Sequence, residues 1–486
     1  MKSKTVFIYV NQGFTVRYLL GSNILKNITE NVDQVVILSH NGDEKAFKEK
    51  FEGPRIKVEK ARYEEYQSFI SSKKLLRVLV QFRAFILNGS FNTKTIDDFR
   101  KIFIHEQGWV FSKGILEWIK GKFWNIFSSV FKKSRILRKL LISFESKYFN
   151  LSVHSDLYDK YSPSLVVVSA LCGFEYNEQI AREAIHNDVQ VCSVILSWDN
   201  TSGMGMAGYK PNFVVAWTEN MKQELITLND INEENIYVGG VAHFDHYYDQ
   251  NNQLTREQLF ENLNLDLDKK VIFYATKSPK RFPWGPSLVE DIAISIEKGS
   301  INKNTQILVR IHPLHFRTAS GKFIFQDILD EYDRIEKKYP CVKLNTPKMI
   351  SQQIDFNMDD SEEVLVSSIL KYSSVMLNMF STMAIEAAIQ DLPIINVCIQ
   401  DRCRADIGKS KQDIMVDFCQ THNQRVIQTG GTRTVFTNEE LTESIKQYLF
   451  DPSIDRSKRL DIVNNEAGPF KGDSGKMIGK YISSLV

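Results

Sequence analysis

Two short stretches in the C-terminal half combine residue types suited to phosphate chemistry. Arg310-Ile311-His312-Pro313 ends the apolar run Gln306-Ile307-Leu308-Val309, and Phe380-Ser381-Thr382-Met383-Ala384-Ile385-Glu386-Ala387-Ala388 follows the run Ser374 to Leu377. A hydroxyl pair opening a helix one turn ahead of a glutamate can bind a phosphate and a ribose together. The first-turn N–H groups lack intrahelical partners, the macrodipole is positive at that end, and a carboxylate accepts from both ribose hydroxyls. The alternatives are Ser381 or Thr382 as a plain N-cap and Glu386 as a helix-surface acid; capping and phosphate binding are compatible. His312 precedes a proline, which disfavours the helical region for its predecessor, so the imidazole is expected to project from a strand end. There it can donate to a phosphate oxygen and stabilise charge on a leaving group, or else be satisfied by nearby backbone. Arg310, together with Thr276 and Lys277 in the loop after Val271 to Ala275, would serve donor phosphates. That loop, Thr276-Lys277-Ser278-Pro279-Lys280-Arg281, also reads as a solvated surface loop. His315 and Arg317 are secondary candidates.

In the N-terminal half the strongest signal is Val194-Ile195-Leu196-Ser197-Trp198-Asp199-Asn200-Thr201-Ser202-Gly203. A strand that ends in a carboxylate before a glycine-bearing loop puts Asp199 at a sheet edge, where it can act as general base toward an acceptor hydroxyl. Asp-Asn-Thr-Ser is equally the chemistry of a turn cap. Trp198 and Asn200 beside it, and Gln12 and Gly13 after the first strand, are the acceptor-side candidates, with His40 and Gly42 as lesser ones. His243 and Asp245 follow Gly239-Gly240 near the expected domain junction. No Walker A loop and no Gly-x-Gly-x-x-Gly after the first strand occurs, which removes kinase and dehydrogenase readings, and no Gly-x-Ser-x-Gly elbow or His-Glu-x-x-His helix occurs either. No metal and no cofactor is expected.

Parallel strands must position these residues. Apolar runs bounded by turn residues recur at Val6–Val10, Val35–Ser39, Leu165–Ser169, Gln190–Ser197 and Phe213–Trp217, and again at Val271–Ala275, Gln306–Arg310, Ser374–Leu377 and Leu392–Val397. The polar stretch Asp249-Gln250-Asn251-Asn252-Gln253 separates the two series. At 486 residues, two α/β domains is the economical reading. We expect domains at 1–250 and 251–460, with a helix in 461–486 packing back on the first and the cleft between the domains as the site. Residues 63–150 break the rhythm: Trp118, Phe123, Ile126, Phe127, Val130 and Phe131 alternate with lysines and arginines at helical spacing. This basic insertion reads either as a helical subdomain with a solvated charged face or as a peripheral membrane contact through 110–140. A composition of 43% hydrophobic and 25% charged residues is globular, and the formal net charge of +2 gives no attraction to nucleic acid. The six cysteines are scattered, with only Cys398 and Cys403 close, and read as reduced thiols. The chain enters its first strand without a leader-like segment, and no apolar run spans a bilayer, so a cytoplasmic protein is expected, or one peripheral on the inner face of the plasma membrane.

Together these residues resemble the two-domain GT-B glycosyltransferases. Arg310-Ile311-His312-Pro313 and Ser381-Thr382 are similar to the His-Pro and paired-hydroxyl motifs of CDP-glycerol glycerophosphotransferases, bacterial sialyltransferases and Kdo transferases, whose donors are CDP- or CMP-activated. By that likeness His312, Ser381 and Thr382 bind donor phosphates. Ser197-Trp198-Asp199-Asn200-Thr201 resembles the Trp-His-Gly-Thr segment of the glycerophosphotransferases, where the histidine is the proposed base; Asp199 holds that position here, a departure that favours a sugar donor. Glu386-Ala387-Ala388 is similar to the nucleotide-binding helix of UDP-sugar enzymes, which leaves the base open. Gly472-Asp473-Ser474-Gly475-Lys476-Met477 resembles the Asp-Gly-Lys-Ala segment before their last helix. The resemblance spans about 165–486. It implies an α/β fold of two Rossmann-like domains facing a cleft, with a helical insertion in the first. The implied activity is metal-independent, inverting transfer of a sugar from a CMP-, CDP- or UDP-linked donor to a glycan or lipid-linked acceptor in polysaccharide biosynthesis. A UDP-sugar 2-epimerase of the same fold, or a non-catalytic nucleotide-sugar-binding or scaffold protein, are the alternatives.

Overall fold

Short runs of valine, isoleucine and leucine with no polar face suit strands covered on both sides, and the computed structural model uses them so. It describes residues 4–11, 13–89, 93–173, 175–249, 253–319, 321–348, 361–400 and 412–486. Gln12, linker residues 250–252 and Cys403 lie outside these. The chain divides into two compact units, Met1–Asp245 with Gly468–Val486, and His246–Ala467.

The first unit holds β1 (Thr5–Val10), β2 (Gln34–Ser39), β3 (Ile56–Lys60), β4 (Leu165–Ser169), β5 (Gln190–Val194), β6 (Phe213–Ala216) and β7 (Ile236–Val238). They form one parallel sheet in the order β3-β2-β1-β4-β5-β6-β7. All six residues of β1 are buried. At the edge, β3 reads Ile-Lys-Val-Glu-Lys and buries only Val58. Helix Ser474–Ser484 returns to this unit and lies along helix Asn23–Asn31. Its Gly479 permits the approach, since a Cβ there would stand 2.7 Å from the Ile24 carbonyl oxygen. Asp245 anchors the start of the returning helix, accepting from the N–H groups of Ser474 (2.9 Å) and Gly475 (2.7 Å). Burial pushes this carboxyl up to about 6 although the two N–H donors oppose the shift.

The second unit holds β8 (Lys270–Ala275), β9 (Thr305–Arg310), β12 (Val342–Asn345), β13 (Val375–Asn378), β14 (Ile394–Val397) and β15 (Arg433–Val435), plus a small antiparallel hairpin of β10 (Thr318–Ala319) and β11 (Lys322–Phe323). Its sheet is parallel in the order β12-β9-β8-β13-β14-β15. Both sheets therefore run outward in two directions from a central pair, β1/β4 and β8/β13. At such a switch point the connecting loops diverge and leave a crevice at the carboxyl ends of the strands.

Between β3 and β4 stand helices Tyr63–Ser72, Lys74–Arg83, Lys94–Glu106, Ile115–Lys133 and Arg135–Tyr148. Small aromatic clusters around Phe85 and Phe103, and around Phe82 and Leu141, hold them. No described helix is long and apolar enough to cross a membrane.

Candidate functional site

At the carboxyl edge of the second sheet, hydrogen bonds join three loops. The loop after β8 carries Thr276, whose hydroxyl oxygen accepts from the backbone N–H of His312, after β9, at 2.8 Å. The next residue, Lys277, donates through Nζ to the carbonyl of Met379, after β13, at 3.0 Å, and pairs with Asp417. Thr276, Lys277, His312 and the Ser381-Thr382 turn are thus gathered around the switch point of this sheet.

His312 has φ −67° and ψ 136°, the extended conformation that Pro313 imposes. Its Nδ1 accepts from the N–H of Leu314 at 3.1 Å, which leaves Nε2 to carry the ring proton. The Nδ1 of His315 donates to the His312 carbonyl at 3.0 Å and fixes the same turn. Burial first, then His315, Arg310, Arg317 and Lys277, lower the His312 pKa to about 4. At neutral pH the imidazole is therefore an uncharged N–H donor in a positive field. Such a field favours an anion.

Ser381 and Thr382 follow Phe380, a non-glycine residue in the left-handed region with φ 56°. That reversal brings the Ser381 N–H (3.2 Å) and hydroxyl (2.9 Å) onto Asn378 Oδ1. Ser381 is exposed and Thr382 half-buried, and no side chain caps the short helix Met383–Ile389 that they open. Glu386, on that helix, accepts from the hydroxyl of buried Tyr247, while Gln390 Nε2 donates to the Tyr247 carbonyl at 3.0 Å. Tyr247 thus orients the carboxylate.

Arg310 is turned elsewhere. Its buried guanidinium donates to Asn345 Oδ1, at the end of β12, and to Glu362 at 2.5 Å. A strand-end arginine reads from sequence as a phosphate ligand; here its donors are engaged by Asn345 and Glu362, and it acts on the site through its field.

In the first unit, Asp199 follows β5, partly exposed, and accepts from the Ser197 hydroxyl. It begins helix Asn200–Gly203 without a side-chain cap bond. Trp198 and Asn200, expected on the acceptor side, are both buried. Asn200 Oδ1 accepts from Leu171 N–H (3.1 Å) and its Nδ2 donates to the Cys172 carbonyl (2.9 Å), clamping the loop after β4 to the loop after β5. Its amide is turned inward to the backbone of Leu171 and Cys172 rather than reaching outward. Gly13 is buried at the start of the helical turn after β1; Gln12 is outside the described residues. His40 Nε2 lies 3.2 Å from the Tyr9 hydroxyl, and burial lowers its pKa.

Sequence reasoning missed a buried amide ladder. Asn378 Nδ2 donates to Asn396 Oδ1 at 2.7 Å, and Asn396 Nδ2 donates to Thr432 Oγ1 at 2.9 Å. This ladder fixes the amide orientation that presents Asn378 Oδ1 to Ser381. A signal existed: one asparagine interrupts each of the apolar runs Val-Met-Leu-Asn and Ile-Ile-Asn-Val, and the two are register partners in β13 and β14. It also missed Asp417, which holds both Lys277 and, at 3.4 Å, Arg281. An open cavity at the opposite edge of this sheet, beside Lys270, Thr305 and Phe450, has no histidine in its lining. The site is placed by chemistry.

No family model matches the sequence, and no curated protein matches it. Solved structures do share its fold. The UDP-GlcNAc 2-epimerase from Neisseria meningitidis bound to UDP-GlcNAc aligns with a TM-score of 0.54 at 10% identity, over 99% of this chain and 100% of that one. The putative UDP-N-acetylglucosamine 2-epimerase from Listeria monocytogenes gives 0.51 at 11% identity, over 98% and 94%. MnaA of S. aureus, solved with UDP, gives 0.51 at 11% identity, over 99% and 98%. The fold class is α/β with two Rossmann-like domains of the GT-B kind.

Proposed function

We propose that this chain is a nucleotide-sugar-dependent glycosyltransferase whose second unit binds the donor. The observation that carries the reading is the join between Thr276 and His312, which sets an uncharged imidazole donor near cations at the same sheet edge as the exposed Ser381 and half-buried Thr382 that open a helix. A diphosphate fits that chemistry: hydrogen bonds from His312, Ser381 or Thr382, charge from Lys277, and Glu386 for ribose hydroxyls. Asp199 is the proposed base. The acceptor hydroxyl oxygen attacks the anomeric carbon as Asp199 takes its proton, the bond from that carbon to the phosphate oxygen breaks, and the nucleotide leaves with the electron pair. The configuration inverts.

The second reading, epimerisation of a UDP-sugar, is favoured by the solved structures of like fold, which are described as 2-epimerases. Against it, Asp417 and Glu362 near the donor loops are held in ion pairs with Lys277 and Arg310, which suits them poorly to proton transfer. Incubation of UDP-GlcNAc and other nucleotide-sugars with and without glycan acceptors separates the readings. Nucleotide release that requires an acceptor and is abolished in Asp199→Asn supports transfer. A new sugar epimer formed without an acceptor supports epimerisation.

A further inference from the structure

Helices Ile115–Lys133 and Arg135–Tyr148 pack Trp124, Phe131 and Leu141 inward but also carry apolar stripes on their outer faces, where a helix on a globular core is usually polar. The residues buried by the first are Gly121, Ser128 and Lys132, and by the second Arg138, Leu141 and Glu145. Their opposite faces are apolar. Phe123 and Ile126 are each 62% exposed, Ile136 72% and Leu140 60%, and Ile119, Val130 and Phe144 continue the stripes at helical spacing.

Buried and partly buried ion pairs lock this orientation. Lys132 Nζ lies 2.7 Å from Asp97 and 2.8 Å from the Thr93 hydroxyl. Arg138 pairs with Asp230 at 2.7 Å, and Glu145 with Arg83 at 2.7 Å, Arg83 in turn holding Glu178 at 2.6 Å. Rotating either helix to bury its apolar face would take Lys132, or Arg138 and Glu145, away from Asp97, Asp230 and Arg83, so the outward stripe is a fixed feature of the surface.

Charge says what covers it. Residues 111–148 contain nine lysines and arginines against two glutamates, a net of +7 in a chain whose formal charge is +2, so the remainder carries −5. Lys120, Lys122, Lys133, Arg135 and Lys139 are exposed around the stripes. Lys122 sits over the half-exposed Trp118 ring at 5.3 Å. A second copy of the same face would bring like charges together, whereas an anionic bilayer complements both the cations and the apolar stripes.

We propose that this two-helix face lies on anionic phospholipid, its apolar side chains entering the boundary of headgroups and acyl chains and its cations on the phosphates. The proposal is independent of the donor-site reading. The test is co-sedimentation of the full chain with phosphatidylcholine vesicles and with vesicles of phosphatidylcholine and phosphatidylglycerol in equal parts. The expected result is association with the anionic vesicles, little with the neutral ones, and weakening by salt. The double variant Phe123→Glu, Ile126→Glu should bind anionic vesicles about tenfold or more weakly with an unchanged melting temperature, since both side chains are exposed. No association with anionic vesicles, or equal association of the variant, overturns the proposal. So does a solution dimer that the variant dissociates while vesicles capture nothing, which would make the face a contact between copies.

Discussion

The backbone N–H of His312 donates to Thr276 Oγ1 at 2.8 Å, which ties together the loops after two neighbouring strands. Each residue belongs to a different motif, 36 positions apart in sequence. Their join gives the imidazole a fixed place, while Lys277, the residue next to Thr276, carries the same join across to the loop of the hydroxyl pair. Thr276→Val removes the acceptor and leaves the His312 N–H unpaired; it should lower stability by about 1–2 kcal/mol and weaken nucleotide binding several-fold, measured by thermal unfolding and calorimetry.

His312 makes stability depend on pH. Its pKa falls from 6.5 to about 4 on folding, so between those values the unfolded chain binds more protons than the folded one. The contribution of neutral His312 is complete above about pH 6.5 and is lost as pH falls through 4, by about 3 kcal/mol in all. Buried His422, lowered to about 3, acts in the same direction. Urea unfolding at a series of pH values should show a shallower acid decline for His312→Gln than for the wild type. An anion bound beside His312 favours the imidazolium, so binding of a nucleotide should raise the pKa of His312 from about 4, measurable by titrating the imidazole with and without the nucleotide.

Lys277 and Asp417 form a nearly buried pair. Lys277→Met alone leaves Asp417 with Arg281 as its remaining cation and should cost about 2–4 kcal/mol in chemical denaturation. Adding Asp417→Leu should recover most of that stability. Nucleotide affinity should remain low in the double variant, because the cation is gone; recovery of affinity together with stability would show that Lys277 serves the fold alone.

Tyr247 orients Glu386. Tyr247→Phe should cost about 1 kcal/mol of stability and weaken nucleotide binding by several-fold, less than Glu386→Ala. The comparison needs only titration of one nucleotide against the three proteins.

The central strands were legible because burial on both faces leaves unbroken apolar runs, as in Val6–Val10 and Leu165–Ser169. Edge strands were not: β3, β12 and β15 carry Lys57, Glu59, Lys343 and Arg433 because one side faces solvent, and their runs are short. Among site residues, a strand end could be read from sequence but the side-chain direction could not. His312 and Ser381 stand at the edge as expected, while Arg310 turns to Glu362 and Asn200 turns to Cys172. Partners distant in sequence, such as Tyr247 for Glu386, had no local signal. The insertion showed its amphipathic spacing in sequence, but which face lay inward depended on the Asp97, Asp230 and Arg83 partners.

Nucleotide binding by the second unit is the claim on which the rest depends. Calorimetric titration of UDP, CDP and CMP into the wild type, Glu386→Ala and His312→Ala, in buffer with a metal chelator, tests it most directly. At least one of these nucleotides should bind the wild type without metal, and both variants, compared at a temperature where each is still fully folded, should bind it about tenfold or more weakly. No binding by the wild type, or binding that both substitutions leave intact, would contradict it.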